Sequence, residues 1–117
     1  MNDITVARTF YVDTLGLKLL DDSMGLSLEL PGGGQLFIYE KPDHQPATFT
    51  VLNFVTTHID EAVKDLQSKG ITMERYDLGN GAQQDADGIL RGRADNMGPD
   101  IGWFKDPAGN VLAVLQS

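Results

Sequence analysis

Residues 102–116 have the sequence GWFKDPAGNVLAVLQ, the stretch that decides the fold. It predicts two apolar strands joined by a tight turn with the sequence Asp-Pro-Ala-Gly. Proline presets φ, aspartate can bond its own backbone, and glycine tolerates a positive φ, a combination typical of a β-hairpin. With that turn, Phe104 lies opposite Leu112, and Trp103 lies opposite Ala113. We therefore expect the chain to be built around an antiparallel hairpin.

Both faces of the predicted hairpin are apolar. One face carries Ile101, Trp103, Val111, Ala113 and Leu115, and the other carries Phe104, Leu112 and Val114. Because a sheet that is apolar on both sides is covered on both sides, we expect helices over one face and a different contact over the face of Trp103. The function depends on what covers that second face.

The composition excludes several classes of protein. A chain of 117 residues fits one domain and can bury a core without covalent staples. It contains no cysteine, so a bound metal would need histidine and carboxylate ligands. The net charge of −8 argues against nucleic acid or an anionic membrane as a partner. With no apolar run approaching the roughly 20 residues of a membrane span and no visible signal peptide, we expect a cytoplasmic protein.

Apolar spacing and the positions of glycine and proline divide the rest of the chain. We predict helices over 3–15 and 58–69, strands over 17–20, 26–30, 35–39, 49–56 and 71–76, and a linker over 42–48. Asp3 or Asn2 is the expected N-cap of the first helix. Residues 77–98 are acidic and rich in glycine, without periodicity. They are either a disordered loop or a lid whose Arg91 and Arg93 close on an anionic ligand.

The two halves of the chain repeat. The matched positions are Asp3 with His58, Ile4 with Ile59, Ala7 with Ala62, Gly16 with Gly70, and Gly34 with Gly109. Each half is therefore a helix followed by three strands, and the second half also has a strand before its helix. The first half lacks that leading strand because the chain starts at the helix cap, so the natural protein could begin upstream of Met1.

These residues together resemble the vicinal oxygen chelate superfamily, which includes glyoxalases, bleomycin-resistance proteins and extradiol dioxygenases. The resemblance rests on Ala7-x-x-Phe10-Tyr11-x-x-x-Leu15-Gly16-Leu17, on Ile59-Asp60-Glu61-Ala62, and on Phe104-x-Asp106-Pro107-x-Gly109-Asn110. It implies an α+β fold in which paired βαβββ modules form a cup of curled mixed sheet, with helices outside and the ligand inside. The single domain 1–117 would contain module one at 1–41, the linker at 42–48 and module two at 49–117. The resemblance also implies a homodimer.

In the metal enzymes of this superfamily, histidine and glutamate from four strand positions hold a divalent ion that acts as a Lewis acid. The resemblance places one position in the missing strand and the other three near Ile38, Val51 and Ala113. None of these three side chains can bind a metal. We therefore expect no metal and no other cofactor.

The resemblance then implies an apolar cup that binds a small molecule. We expect its lining to consist of Leu36, Ile38, Val51, Asn53, Trp103, Ala113 and Leu115. Burial and stacking on Trp103 would provide affinity for an apolar or aromatic ligand. Asn53 would either orient that ligand or bond the backbone. No catalytic residue is predicted, because no nucleophile with a base partner can be assembled.

Two other functions stay open. A metal-dependent lyase, isomerase or dioxygenase of the same superfamily would need ligands that the sequence does not show, for example Glu40 with residues of the missing strand or of a partner chain. A structural or interaction module would use the bare sheet edge that the missing strand leaves, since such edges invite pairing. His44 and His58 are the only histidines, and we expect each to be structural or solvated.

Overall fold

The computed structural model describes residues 2–77, 83–94 and 96–117. The predicted irregular segment 77–98 therefore lies in part outside the described residues, at 78–82 and 95. The described chain forms two compact units. Unit 1 comprises the residues up to Pro46 together with Asp106–Gly109, and unit 2 comprises Ala47–Lys105 together with Asn110–Ser117. The division after Pro46 falls within the predicted linker.

Unit 1 begins with helix α1, Ile4–Arg8, which continues as a π-helical segment over Thr9–Thr14. The Asp3 carboxylate accepts hydrogen bonds from two backbone N–H groups of the first turn, at 3.0 and 3.2 Å. It is the N-cap, as predicted, because its oxygen satisfies donors that have no partner inside the helix. Gly16, with φ of +78°, follows the helical region and turns the chain toward the sheet.

The sheet of unit 1 contains three antiparallel strands in the order β1-β2-β3: Lys18–Asp21, Leu26–Glu29 and Gln35–Ile38. Leu26, Leu28 and Ile38 share one face of this sheet and are buried. Phe37 points to the other face and is exposed, as is Tyr39 just beyond the strand. The core of unit 1 therefore lies on the leucine side.

Unit 2 contains the remaining elements: β4 Thr50–Val55, α2 Ile59–Ser68, β5 Leu90–Arg91, β6 Asp100–Lys105 and β7 Val111–Gln116. Its strand order is β4-β7-β6-β5, with β4 and β7 parallel and the other pairs antiparallel. Helix α2 packs against β6 and β7. The described residues thus form an α+β fold of two helical regions and seven strands in two sheets, the mixed architecture that was predicted.

The strand predicted over 71–76 is not formed. Glu74 donates one backbone hydrogen bond to the carbonyl of Trp103 at 2.8 Å, and no ladder continues from it. The side-chain amide of Gln84 instead bonds the backbone of Glu74 and Tyr76. Strand β5 pairs with β6 at Asp100 and Ile101. Side-chain hydrogen bonds thus hold 74–76 where a strand was expected, and apolar alternation cannot reveal them.

The described part of 77–98 is ordered, contrary to the expectation of a disordered loop. Ile89 has no solvent-accessible surface, and β5 pairs with β6. The Asp85 carboxylate accepts hydrogen bonds from the backbone N–H groups of Asp87 and Ile89, each at 2.9 Å. The buried isoleucine and this carboxylate hold a segment that has no periodic pattern.

None of the described helices is long and apolar enough to cross a membrane.

Candidate ligand-binding face

The hairpin of residues 102–116 pairs as predicted. Trp103 lies opposite Ala113, and Phe104 lies opposite Leu112. The turn closes through a hydrogen bond of 3.0 Å from the Gly109 N–H to the Asp106 carbonyl, with Gly109 at φ of +86°. The strand pairing assigns the apolar residues to the two faces that the sequence indicated.

One face of the unit 2 sheet is covered by helix α2. Phe104, Leu112 and Val114 on this face are buried. A Cβ added at Gly102 would lie 3.8 Å from Cγ2 of Val63 in α2, so the helix approaches the sheet closely at a residue without a side chain. This face is core and has no room for a ligand.

The opposite face we call the Trp103 face, and it carries Val51, Asn53, Val55, Ile101, Trp103, Ala113 and Leu115. Asn53 pairs with Ala113 and Ala113 pairs with Trp103, so the three form a row across three strands. Adjacent strands lie about 4.8 Å apart, which separates the backbones of Asn53 and Trp103 by roughly 10 Å. A methyl group therefore lies between an amide and an indole.

Solvent reaches the two ends of this row and not its middle. Asn53 is exposed and Trp103 is half-buried, whereas Ala113 between them is completely buried. Val51, which precedes Asn53 on the same face of β4, is 46% exposed. The side-chain amide of Asn53 makes no hydrogen bond to any other described residue. It is therefore available to a ligand as both donor and acceptor.

Tyr76 is a part of the Trp103 face that the sequence did not indicate. Its ring meets Trp103 edge to face, with the centroids 5.7 Å apart and the planes at 73°. That arrangement is favourable because the positive edge of one ring contacts the negative face of the other. Burial, followed by the charge of Glu74, raises the pKa of Tyr76, so its hydroxyl stays protonated at neutral pH. Only the contact with Trp103 identifies this tyrosine, because 71–76 was expected to be an ordinary strand.

The register of unit 1 corrects the predicted match between the two hairpins. The Gly33 N–H donates to the Leu30 carbonyl at 3.0 Å, as the Gly109 N–H donates to Asp106, so Gly33 and not Gly34 corresponds to Gly109. Gly32 and Gly33 both have positive φ. Three consecutive glycines leave no sequence marker for the turn position, and the match was one residue out.

This one-residue correction exchanges the faces of β3. Leu36 and Ile38 share the face of the buried residues Leu26 and Leu28, which corresponds to the Phe104 face of unit 2. A ligand contact by Leu36 or Ile38 stays a prediction. With the corrected register, Phe37 corresponds to Ala113, and Tyr39 corresponds to Leu115. Both aromatic residues are exposed.

Those residues, Phe37 and Tyr39, stack with their ring centroids 6.1 Å apart and their planes at 21°. They are 55% and 57% exposed. Unit 1 thus presents an aromatic pair on the side where the sequence predicted aliphatic residues. The alternation of 35–39 contained this pair, but the wrong register assigned it to the outside of the cup.

The side chains at the three implied metal positions that this sequence contains do not fit a metal. Correcting the register replaces Ile38 by Phe37, and Val51 and Ala113 stay apolar, so no histidine or carboxylate is supplied. Among the described residues, no group of three histidine, cysteine, aspartate or glutamate side chains could hold an ion. His58 precedes the first residue of α2 and makes no side-chain cap hydrogen bond.

The proposed lid arginines make ion pairs in unit 2. Arg91 lies 2.5 Å from Asp60 of α2 and 2.9 Å from Asp85, and Arg93 lies 3.9 Å from Asp100. The hydrogen bond from Arg91 lowers the pKa of Asp60. Burial acts to raise the pKa of Asp85, but its hydrogen bonds from backbone N–H groups and Arg91 lower it overall. A lid role stays a prediction, and it would require these ion pairs to break.

Known proteins share this fold. The family model of the glyoxalase/bleomycin resistance protein/dioxygenase superfamily matches residues 1–114. No curated protein matches the sequence. A superfamily member from Sphaerobacter thermophilus is 24% identical, with a TM-score of 0.66 over 100% of this chain and 90% of that chain. A glyoxalase family protein from Enterococcus faecalis is 23% identical, with a TM-score of 0.69 over 97% and 89% of the two chains.

A third similar structure is TnmS3, an antibiotic binding protein from a Streptomyces species. It is 24% identical, with a TM-score of 0.65 over 99% of this chain and 88% of that chain. At such identities the likeness of the structures shows a common fold. The family model covers almost the whole sequence, and the chain therefore belongs to the glyoxalase/bleomycin resistance protein/dioxygenase superfamily.

Proposed function

We propose that the protein binds a small apolar or aromatic molecule on its Trp103 face. The observation that carries this proposal is the row Asn53, Ala113 and Trp103, in which a half-buried indole and an amide without a hydrogen bond to the described residues flank a methyl group. The similar fold of TnmS3, an antibiotic binding protein, supports a small molecule as the ligand. An antibiotic or a similarly compact aromatic compound is the kind of molecule we expect.

Affinity would come from the exposed apolar and aromatic surface of this face. Each Å² of apolar surface removed from water contributes about 25 cal/mol, and edge or stacking contacts with an indole add to this. The Asn53 amide would orient the ligand, because its NH2 group donates and its oxygen accepts hydrogen bonds. A ligand with a neighbouring acceptor and donor would match it in one orientation. Since Ala113 is completely buried, the ligand would contact the two ends of the row, Asn53 and Trp103, and the neighbouring exposed Val51.

We further propose that binding needs no metal. Support comes from the apolar side chains at the positions where metal enzymes of this family hold their ion. Metal analysis of protein purified without chelator tests the proposal directly. We expect no stoichiometric divalent ion, and one tightly bound zinc, nickel, manganese or iron ion per chain would contradict it.

A homodimer is proposed on the family resemblance alone. Light scattering at several protein concentrations is the test, with a strictly monomeric protein as the outcome that contradicts it. The cytoplasmic location stays a prediction from the sequence.

A ligand screen tests the proposed binding. Trp103 is the only tryptophan, so its emission reports on this face without labelling. A panel of aromatic antibiotics together with anilinonaphthalenesulfonate would be titrated against the protein and each response repeated by calorimetry. We expect at least one saturable shift in Trp103 emission with matching heat. Binding by calorimetry that leaves Trp103 emission unchanged would place the ligand elsewhere.

A further inference from the structure

We infer that Gln84 is a positioning residue for the Trp103 face, holding Tyr76 against the indole. That this positioning serves ligand binding rests on the proposed function. The contacts that hold Tyr76 do not depend on it. Gln84 lies in a segment without periodic pattern, and neither charge nor motif distinguishes it in the sequence.

The side-chain amide of Gln84 bonds three backbone groups. Its Oε1 accepts a hydrogen bond from the Tyr76 N–H at 2.7 Å. Its Nε2 donates to the carbonyl of Glu74 at 2.9 Å and to the carbonyl of Gly88 at 2.6 Å. A glutamine amide has two donors and two acceptor positions, so most of its capacity is used here.

These bonds tether residues 74–76, which are not part of a strand. This segment bonds the sheet through the Glu74 N–H and the Trp103 carbonyl, at 2.8 Å. The amide of Gln84 satisfies two further backbone groups of the segment, the Glu74 carbonyl and the Tyr76 N–H. Without the amide, both backbone groups would need water as their partner, and the backbone of Tyr76 would lose its tether.

Gln84 is itself attached to the sheet. It forms an isolated antiparallel bridge with Leu90, and Leu90 pairs with Ile101 of β6. The guanidinium of Arg75 bonds the carbonyls of Asp85 and Ala86 at 2.7 and 2.5 Å, which links the same two segments a second time. Gln84 is the member of this contact that bonds Tyr76 directly.

The consequence concerns the aromatic pair. Tyr76 contacts Trp103 through its ring, while its backbone is held by Gln84. Loosening that backbone should free the Tyr76 ring and uncover the indole. Gln84 would thereby set the shape of the Trp103 face without contacting a ligand.

Acrylamide quenching of Trp103 fluorescence tests this inference without any ligand. Tyr76→Ala gives the quenching constant of an uncovered indole. We expect Gln84→Ala to raise the constant to about that same level and to speed hydrogen exchange at the Tyr76 N–H. Gln83→Ala is the matched control, since Gln83 is an exposed neighbouring glutamine. It should leave both measurements at the wild-type values.

A double mutant separates positioning from general loosening. If Gln84 acts through Tyr76, Gln84→Ala should add nothing to the quenching constant in the Tyr76→Ala background. An equal increase in both backgrounds would overturn the inference, as would wild-type quenching and exchange in Gln84→Ala. Ligand binding is measured separately, so a protein that binds no aromatic compound can still show the Gln84 effect.

Discussion

The Tyr11 hydroxyl donates a hydrogen bond of 2.6 Å to Oδ2 of Asp106, and both residues are buried. The two are 95 positions apart in the sequence. Oδ1 of the same carboxylate accepts the Ala108 N–H at 2.9 Å inside the hairpin turn. One aspartate therefore shapes its own turn and joins that turn to the first helical region of unit 1.

Replacing Tyr11 by phenylalanine should destabilise the protein. The change removes a donor from a buried carboxylate, and the loss of one partner from such a pair costs about 1–3 kcal/mol. Urea unfolding at pH 7 measures the difference. Tyr76→Phe is the control, because the described residues give its hydroxyl no hydrogen bond. Equal stability of wild type and Tyr11→Phe would show that the bond contributes nothing.

The same tyrosine predicts an alkaline transition. Burial, followed by the hydrogen bond and charge of Asp106, raises the pKa of Tyr11 in the folded state. A group with a raised folded pKa stabilises below its unfolded pKa, near 10 for tyrosine, and that stability falls as pH increases beyond it, by about 1.4 kcal/mol per pH unit. Unfolding measured from pH 8 to 11 should therefore show a steeper decline in wild type than in Tyr11→Phe. Parallel curves would contradict this explanation.

Two neighbouring glycines test the register of the first hairpin. Gly33 has φ of +97°, a conformation that costs an alanine about 1–2 kcal/mol. Gly34 is not at positive φ, and an added Cβ would meet Leu30 at an ordinary 3.7 Å. We expect Gly33→Ala to lower the free energy of unfolding by that amount and Gly34→Ala to change it by less than about 0.5 kcal/mol. The reverse order would support the match of Gly34 with Gly109.

The ion pairs of Arg91 predict sensitivity to acid. The pKa values of Asp60 and Asp85 are both lowered in the folded state. Carboxyl groups with lowered folded pKa values stabilise above the unfolded pKa, near 4, and that stability is lost as pH falls through the folded values. Arg91→Gln should therefore lose less stability than wild type between pH 5 and 3, as measured by urea unfolding. Lys69→Gln, which removes an exposed pair with Asp65, should follow the wild-type curve.

For any aromatic compound found to bind, Trp103→Ala should weaken the affinity by about tenfold or more, since a lost aromatic contact and its buried area amount to at least ~1.4 kcal/mol. Calorimetry is the appropriate measurement, because the variant has no tryptophan. Met97→Ala is the control, as Met97 is highly exposed and lies outside the Trp103 face. Unchanged affinity in Trp103→Ala, with the variant still folded by circular dichroism, would move the binding site elsewhere.

Local chemistry accounts for the parts of the fold that could be predicted. The N-cap Asp3, the start and end of α2, the 102–116 hairpin and its residue pairing all depend on residues a few positions apart. Turn geometry and strand alternation act over that same range, so the sequence alone was sufficient for them. The two apolar faces of the second hairpin, and with them Trp103 on one side, followed directly. Asn53 was placed on that face through the family resemblance, and the pairing of β4 with β7 puts it there.

Only the tertiary structure determined which residues that are distant in the sequence contact one another. Three consecutive glycines are equivalent as turn residues, and only the pairing of β2 with β3 selects Gly33 and places Phe37 on the face opposite the buried leucines. Gln84 tethers the backbone of Tyr76, eight residues before it, and Arg91 binds carboxylates on a helix and a loop. A polar side chain carries no local signal of its partner, since many partners satisfy the same donors and acceptors equally well. Packing alone selects among them.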